Sequence, residues 1–280
     1  MGKEIGTLKL GIAFISHDAS VRKDRGAELR TQLSRIINEL EGVEIFSWKS
    51  ILWQPDQYPI KQRKYFRLLS FRIRASREWG DRSWLNALYQ TLVFEFRQIL
   101  SGRSQLLIAQ KNLFVAIIVH EKHVRAWTSA LDDSIDALLV LEDDAILKDC
   151  DDKVLSQAFA FVRQALPTCV NLSKGNDLKG YAKEYFKGDE HKGWFKLKAA
   201  DTACAYMVNR PGLKLLAEHC SQRADTAVLA VDFVISDAML RNKEFEVLHT
   251  DSPLFTNGTL FGVYESQTGS LPRDMTKNRE

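Results

Sequence analysis

The sequence predicts an α/β fold in which a mixed, mostly parallel sheet is flanked by helices. The first observation is a run of five apolar residues, Ala137 to Leu141, followed at once by the carboxylates Glu142, Asp143 and Asp144. An apolar run of this length is typical of a central strand covered on both faces. The second observation is a strand, helix and strand pattern at the start of the chain. The third is an arginine-rich stretch that interrupts the pattern and predicts a helical insertion.

The opening pattern begins with the apolar stretch Leu8 to Ile15, which predicts the first strand. A helix and a second strand, Val43 to Phe46, follow Ser16 and end the unit. The helix is indicated by apolar residues at helical spacing, namely Leu29, Leu33, Ile36, Ile37 and Leu40. His17 and Asp18 occupy the loop after the first strand, so they are candidate nucleotide contacts, although a capped turn explains them equally well. Arg25 is a candidate for donor phosphates, or a solvated residue at the start of a helix.

Residues 50–102 form the predicted helical insertion within a single domain that spans 1–280. Between Lys61 and Arg77 there are seven basic residues and no acidic one, interleaved with aromatic and aliphatic side chains. This composition suits an anionic membrane surface. A solvated helical face with its apolar residues turned into the core is an equally good explanation. No nucleic-acid-binding motif accompanies the segment, so we expect no nucleic acid partner.

The three consecutive carboxylates favour a cation site at the end of the central strand. Open α/β sheets bind ligands beyond the carboxyl ends of their strands, and neighbouring carboxylates raise each other's pKa unless a cation or donors compensate. Hard oxygen ligands suit Mg²⁺ or Mn²⁺ better than Zn²⁺. The phosphates of a nucleotide or nucleotide-sugar substrate would complete the shell. The alternative is that these acids simply return the chain to solvent.

The second half of the chain continues the alternation of helices and strands. We expect a helix from Asp151 to Leu166, a strand at Cys169 to Leu172, and a long mobile loop from Lys174 to Gly193. A small-residue segment, Ala199 to Val208, ends in a strand. A helix from Val231 to Leu240 and a strand from Glu244 to Leu248 follow.

Composition bounds the broad class. The chain has 280 residues, 45% hydrophobic and 27% charged residues and a net charge of +3, which is ordinary for a globular protein. Its four cysteines form no CxxC pair, which indicates reduced thiols and a cytoplasmic location. The longest uninterrupted apolar run, Leu113 to Val119, is shorter than the roughly 20 residues of a membrane helix. We therefore expect no membrane span and no leader, with any membrane contact peripheral.

The order of several motifs resembles glycosyltransferase family 25, the lipopolysaccharide-type glycosyltransferases. The family's Ser-His-x-x-x-Trp helix, apolar strand and Glu-Asp-Asp are similar to Lys122 to Trp127 followed by Leu138 to Asp144, with Lys122 in the place of the serine. The family's later Thr-x-x-x-Tyr segment is similar to Thr202 to Tyr206. The similarity extends from about His120 to Leu216.

The resemblance implies a GT-A-like (Rossmann-like) sheet and inverting transfer of a sugar, often galactose from a UDP donor, to a bacterial surface glycan such as lipopolysaccharide or capsule. A Mn²⁺ or Mg²⁺ ion held by Asp144, assisted by Glu142 or Asp143, would neutralise charge on the departing diphosphate. His249, after the last strand, is a candidate to complete the metal shell, although a lone histidine is more often a hydrogen-bonded structural residue. The acceptor would be a glycan or glycolipid at the inner face of the cytoplasmic membrane.

Three carboxylates compete for the role of general base that removes the acceptor proton. Asp232 is the first candidate because it opens a late helix; Asp201 and Asp237 are its rivals, and helix capping is the alternative for each. We expect His123 and Trp127, four residues apart on one helix face, to brace the strand of the acidic triplet. Two other functions remain open. One is a metal-dependent phosphohydrolase and the other a non-catalytic homologue that binds glycan or membrane.

Overall fold

A computed structural model describes residues 6–16, 23–52, 69–70, 73–74, 76–77, 82–100, 113–148, 152–174, 182–185, 193–197, 203–222 and 230–258. Its strands are β1 (Leu8–Ile15), β2 (Val43–Ile51), β3 (Ala137–Glu142), β4 (Ala145–Leu147), β5 (Thr168–Asn171), β6 (Ser173–Lys174), β7 (Ala182–Tyr185), β8 (Trp194–Leu197), β9 (Ala205–Asn209), β10 (Glu246–Thr250) and β11 (Phe255–Asn257). Its helices are α1 (Lys23–Asn38), α2 (Trp84–Leu100), α3 (Leu113–Asp132), α4 (Asp152–Val162), α5 (Arg210–Gln222) and α6 (Val231–Arg241).

Eight strands form the main sheet in the order β2-β1-β3-β9-β5-β10-β8-β7. The pairings β1·β2, β1·β3 and β5·β10 are parallel, whereas β9 is antiparallel to both β3 and β5, and β8 is antiparallel to β7 and β10. Only β8 and β9 therefore run against the other six strands. This mixed, mostly parallel sheet flanked by helices confirms the predicted α/β, Rossmann-like class.

Helices cover both faces of the sheet because the buried strands are apolar on both sides. Along β3, Leu139 and Leu141 belong to one core and Leu138 and Val140 to the other, as the two-residue period of a strand requires. Helices α1 and α4 pack on the first core. Helices α3, α5 and α6 pack on the second. Burial on both faces explains why β3 is a continuous apolar run.

A second, three-stranded sheet has the order β4-β11-β6. Strand β11 is antiparallel to β4 and parallel to β6. It joins the segment that follows the acidic triplet to the last residues that the structure describes, since the Gly258 amide donates to the Asp144 carbonyl oxygen at 2.7 Å. The turn that carries the triplet is thus held from two sides.

Several predicted boundaries differ from the structure. Strand β2 continues to Ile51, beyond the predicted end at Phe46, because all eight residues of β1 offer it a parallel partner. Helix α4 ends at Val162, before the predicted Leu166. The predicted loop between Lys174 and Gly193 contains strand β7, which pairs with β8 at the edge of the sheet. In this edge strand, backbone pairing decides the structure, and the polar sequence does not reveal it.

The predicted insertion is described only in part. It includes α2, and the described residues 69–70, 73–74 and 76–77 are helical, whereas residues 53–68, 71–72, 75 and 78–81 lie outside the described residues. Among the helices described, none is both long enough and apolar enough to cross a membrane.

Candidate functional site

The acidic triplet lies at an edge of the main sheet where several strands begin or end. Strand β3 ends at Glu142, and Asp143 and Asp144 form the turn into β4. Ile15 pairs with Glu142 in the parallel ladder, so Ser16 follows β1 at the same edge. Because β9 runs the opposite way, its first residues reach this edge as well, and the Glu142 amide donates to the Cys204 carbonyl oxygen at 2.8 Å.

Four side chains from three elements form a continuous hydrogen-bonded chain at this edge, which we call the His123 chain: Trp127, Tyr206, His123 and Glu142. Trp127 Nε1 donates to the Tyr206 hydroxyl oxygen at 2.9 Å. The same oxygen lies 2.7 Å from His123 Nδ1, and His123 Nε2 lies 2.9 Å from Glu142 Oε1. Helix α3, strand β9 and strand β3 are thereby connected through polar atoms in an otherwise apolar core. The predicted bracing role of His123 and Trp127 is confirmed.

The tautomer of His123 follows from the donors that the chain must satisfy. Trp127 can only donate, so the Tyr206 oxygen accepts from it, and the tyrosine keeps its own proton to donate. His123 Nδ1 accepts that proton, which places the imidazole hydrogen on Nε2. Nε2 then donates to Glu142 Oε1. The opposite tautomer would leave the buried Tyr206 proton with no acceptor in the chain, which is costly.

Burial and charge set the protonation of the two ends of the chain. Burial, assisted by the charge of Lys122, lowers the pKa of His123 to about 3, so the ring is neutral at pH 7. Burial and the neighbouring Asp143 raise the pKa of Glu142 to about 8, while Lys122 opposes the rise. The first carboxyl of the triplet therefore holds a proton over much of the neutral range.

Lys122 is a buried basic residue at this site. The sequence analysis noted Lys122 only as a departure from the family pattern. Its side chain is 1% exposed, and its Nζ donates to the carbonyl oxygen of Ser16. Burial lowers the pKa of Lys122, and the charges of Asp143 and Glu142 work in the opposite direction. An ammonium group thus shares the site with the carboxylates. The position of Lys122 cannot be predicted from the sequence, because lysine in a helix is ordinarily solvated. It follows from the parallel pairing of β1 with β3, which brings Ser16 to the edge where the triplet lies.

Arg25 fixes the backbone of the acidic turn. Its guanidinium donates to the carbonyl oxygen of Asp143 and, at 3.4 Å, to that of Ala145. Arg25, predicted to contact donor phosphates, therefore lies beside the predicted site residue Asp143 and contacts its main chain. Its position at the start of α1 keeps a positive charge beside the turn.

The structure does not bring the predicted metal ligands Glu142, Asp144 and His249 together as one shell. Among the residues that the structure describes, no group of three or more His, Cys, Asp or Glu side chains is arranged to hold a metal ion. Glu142 is engaged by His123, and the His249 ring stacks on Phe195 with 5.9 Å between centroids. His249 is on β10 and Glu142 is on β3, and β5 and β9 lie between these two strands in the sheet. The order of strands in the sheet cannot be read from the sequence. Asp143 and Asp144 remain as adjacent carboxylates on the turn.

The candidates for general base are placed unequally. Asp232 lies in the first turn of α6, half-buried, and its Oδ1 accepts the amide hydrogen of Phe233 at 2.9 Å. Its rival Asp237 lies further along the same helix in a cluster of cations. Asp201 lies outside the described residues, as do the predicted nucleotide contacts His17 and Asp18.

Asp237 is the centre of a second polar cluster. Its carboxylate is 3% exposed and contacts Arg74 at 2.5 Å, His219 at 3.1 Å and Arg241 at 3.0 Å. Burial alone would raise the pKa of Asp237, but hydrogen bonds from His219 and Arg241 and the charges of Arg241 and Arg74 outweigh it and lower the pKa to about 2. So weak a base is poorly suited to proton abstraction. Asp237 instead anchors Arg74 of the basic segment to α6.

Comparisons with known proteins give little beyond this geometry. No protein-family model matches the chain, and no curated protein matches it either. Among solved structures, the mannose-1-phosphate geranyltransferase from Thermus thermophilus aligns with 52% of this chain at 12% identity and a TM-score of 0.31. The alignment spans about half of that enzyme, 54% of its chain. Such a likeness carries no argument about activity.

Proposed function

We propose that this chain is a metal-dependent, inverting glycosyltransferase that moves a sugar from a nucleotide-sugar donor to a bacterial surface glycan. The observation that supports it best is the His123 chain. His123, Trp127, Glu142 and Tyr206 are separated by up to 83 positions and are among the residues on which the family resemblance depends. They meet at the carboxyl edge of a GT-A-like sheet, where open α/β sheets bind ligands.

In this proposal Asp143 and Asp144 hold Mn²⁺ or Mg²⁺ together with the donor diphosphate. The two carboxylates fit such an ion, since Mg²⁺ is usually bound through one or two carboxylates and substrate phosphates, without an all-protein cage. The ion would supply positive charge to the departing diphosphate. Glu142 and His123 are assigned to positioning, because their polar atoms are engaged with each other. Arg25 holds the turn so that the two carboxylates keep their direction.

The acceptor side of the proposal rests on fewer contacts. Transfer with inversion needs a carboxylate to remove the proton of the acceptor hydroxyl. Asp232 and Asp201 remain the candidates, with Asp237 disfavoured by its two arginine partners and its contact with His219. His17 and Asp18 remain candidate contacts of the donor nucleotide. The sugar, for which the family resemblance suggests galactose on UDP, is part of the proposal.

Calorimetry with UDP, GDP and CMP sugars, with and without Mn²⁺, tests the proposal, followed by a turnover assay on any donor that binds. We expect one nucleotide sugar to bind in a Mn²⁺-dependent manner. Asp144→Asn should abolish that binding while the circular dichroism spectrum is retained. Asp132→Asn, at the exposed end of α3, is the matched control and should bind like the unmodified chain. Full transferase activity in Asp144→Asn would overturn the proposal. Hydrolysis of a phosphodiester without donor or acceptor would favour a phosphohydrolase.

A further inference from the structure

Helix α2 exposes its apolar face. Trp84, Leu85, Leu88, Tyr89, Leu92 and Phe96 have exposed fractions from 38% at Leu88 to 80% at Leu85. At about 100° per residue these six positions lie on one side of the helix, within roughly 140° of its circumference. The polar residues Asn86 and Gln90 lie on the opposite side. Phe94, which is 51% exposed, is the apolar exception on that side. The rest of the helix is amphipathic, and its apolar half faces outward.

A different set of side chains is buried in α2. Among the α2 residues whose side chains the structure describes, the buried ones are Ala87, Thr91 and Glu95, spaced four apart. A surface helix normally buries its apolar stripe and exposes its polar one. In α2 a small residue, a hydroxyl and a carboxylate take the buried position. An apolar face that the fold leaves exposed in this way is typical of an interaction surface.

Positive charge is concentrated in the part of the sequence that contains α2. Nine of the 39 basic residues but only three of the 36 acidic residues lie between 61 and 100, so the rest of the chain has a small excess of acids. The Arg77 guanidinium lies 5.8 Å from the centre of the Trp84 ring, at the start of α2. The Arg82 amide donates to the Arg77 carbonyl oxygen at 3.0 Å. The Arg82 guanidinium donates to the Ser76 hydroxyl at 3.0 Å, so Arg77 is the cation in contact with the exposed apolar side chains and Arg82 lies beside it in the chain.

The basic segment is also fixed to the folded body. Arg74 contacts the buried carboxylate of Asp237 on α6 at 2.5 Å. This contact holds the part of the segment before α2 against the second core. The cations and the apolar face consequently belong to one surface, which we call the α2 surface: helix α2 with Arg77 and Arg82.

We propose that the α2 surface binds an anionic phospholipid bilayer, with α2 lying in the plane of the interface. A helix of 17 residues is about 25 Å long, and none of the described helices could span a membrane, so a position along the interface is the one that fits. Trp84 and Tyr89 carry polar tips on apolar rings, as is typical of side chains at the headgroup level. The neighbouring arginines match the negative charge of the headgroups. This inference needs no donor or acceptor and is independent of the proposed reaction.

Sedimentation of the full chain with vesicles tests the inference. The probes are vesicles of phosphatidylcholine alone and vesicles with about 30 mol% phosphatidylglycerol, at about 0.05 M and 0.5 M salt. We expect binding to the anionic vesicles, weakened by salt, and much weaker binding to the neutral ones. Arg82→Gln should weaken anionic binding about fivefold, which corresponds to ~1 kcal/mol for one basic residue near the surface.

A pair of double variants separates the apolar face from the charge of the helix. Leu85→Glu with Leu92→Glu should lower vesicle binding by more than about tenfold, because two side chains that enter the interface become charged. Asn86→Glu with Gln90→Glu adds the same charge on the polar side of α2 and should lower binding only by the smaller electrostatic factor. Circular dichroism and thermal midpoints establish that both variants fold.

Three outcomes would overturn the inference. The first is equal vesicle binding by the two double variants. The second is no sedimentation of the unmodified chain with anionic vesicles at low salt, which would mean that the chain itself covers the face. The third is a dimer, seen by sedimentation velocity without lipid, that Leu85→Glu with Leu92→Glu dissociates while vesicles bind neither form; the occupant would then be a second copy. None of these outcomes depends on transferase activity.

Discussion

His123 and Tyr206 are stacked and hydrogen-bonded in the core, with ring centroids 5.7 Å apart, an interplanar angle of 15° and 2.7 Å between Nδ1 and the hydroxyl oxygen. The two residues come from α3 and β9, which the chain separates by the whole of β3 to β8. Their contact fixes the orientation of the imidazole ring, and Nε2 consequently points to Glu142 at the end of β3, directly before the acidic turn. One tyrosine hydroxyl thus connects the packing of α3 with the geometry of the carboxylates.

Tyr206→Phe should destabilise the protein. The substitution leaves Trp127 Nε1 and His123 Nδ1, both in buried side chains, without their shared partner, and an unsatisfied buried polar group costs about 1–3 kcal/mol. Urea unfolding monitored by tryptophan fluorescence measures the change. Tyr89→Phe, at an exposed position of α2, is the matched control and should alter the free energy of unfolding by less than about 0.5 kcal/mol. Equal stabilities of the two variants would contradict the role of the shared hydroxyl.

Glu142→Gln should alter the pH dependence of stability. Burial and Asp143 raise the pKa of Glu142 from 4.5 to about 8, so the folded protein holds this proton more tightly than the unfolded chain does. The resulting stabilisation is complete below pH 4.5 and is lost as the pH rises through 8. Glutamine has no proton to lose. The variant should therefore gain on the unmodified protein between pH 5 and pH 8, by on the order of 2–4 kcal/mol.

Urea unfolding at pH 5, 6.5 and 8 measures this difference. Glu244→Gln, on the exposed turn before β10, is the control and should show a difference from the unmodified protein that is constant with pH. If the Glu142→Gln curve runs parallel to that of the unmodified protein, the carboxyl is not protonated in the folded state.

Much of the fold follows from local pattern, whereas the site depends on pairings that local pattern does not contain. The apolar run of β3 and the helical spacing of Leu29, Leu33 and Ile37 predict buried elements that the structure confirms. The spacing of four between His123 and Trp127 predicts their common face, and the contacts with Tyr206 confirm their bracing role. The direction of β9 cannot be predicted in this way, because it is decided by which neighbours the strand finds in the sheet.

The residues that sequence reasoning missed are those whose environment contradicts their type. Lysine is seldom buried, yet Lys122 is, because its Nζ donates to the backbone carbonyl of Ser16 and the neighbouring Asp143 favours its charged form. Helix α2 contains an apolar stripe that would ordinarily predict the core-facing side. In the structure Ala87, Thr91 and Glu95 take that side. A signal for α2 does exist in its neighbourhood, since an apolar stripe beside a cluster of arginines is typical of an interfacial helix.

Lys122→Met should lower stability and strengthen the binding of Mn²⁺. The thioether side chain fills similar space but removes the donor that Lys122 Nζ provides to the Ser16 carbonyl, together with a basic group near Asp143. We expect a loss of about 1–3 kcal/mol in the free energy of unfolding in metal-free buffer. If Asp143 and Asp144 hold Mn²⁺ as we propose, removal of a positive charge beside them should raise the Mn²⁺ affinity, on the order of tenfold, in calorimetry.

Lys214→Met, at a position of α5 with 73% side-chain exposure, is the control for charge removal far from the carboxylates, and both quantities should stay near those of the unmodified chain. An unchanged Mn²⁺ affinity in Lys122→Met would place the ion away from Asp143.

Asp237→Asn should destabilise the protein strongly at neutral pH and progressively less in acid. The buried carboxylate is shared by Arg74, His219 and Arg241, so the substitution leaves cations uncompensated, at a cost of about 3–5 kcal/mol. The pKa of Asp237 is lowered from 3.8 to about 2, so its ionic contribution is complete above pH 3.8 and is lost as the pH falls towards 2. The free energies of unfolding of the two proteins should therefore converge by about 2 kcal/mol over that interval.

Urea unfolding at pH 7, 4 and 3 measures the trend, with Asp152→Asn, exposed at the start of α4, as the control. A constant difference from pH 7 to pH 3 would show that the cluster stabilises the protein by packing and hydrogen bonds that do not require the charge of Asp237.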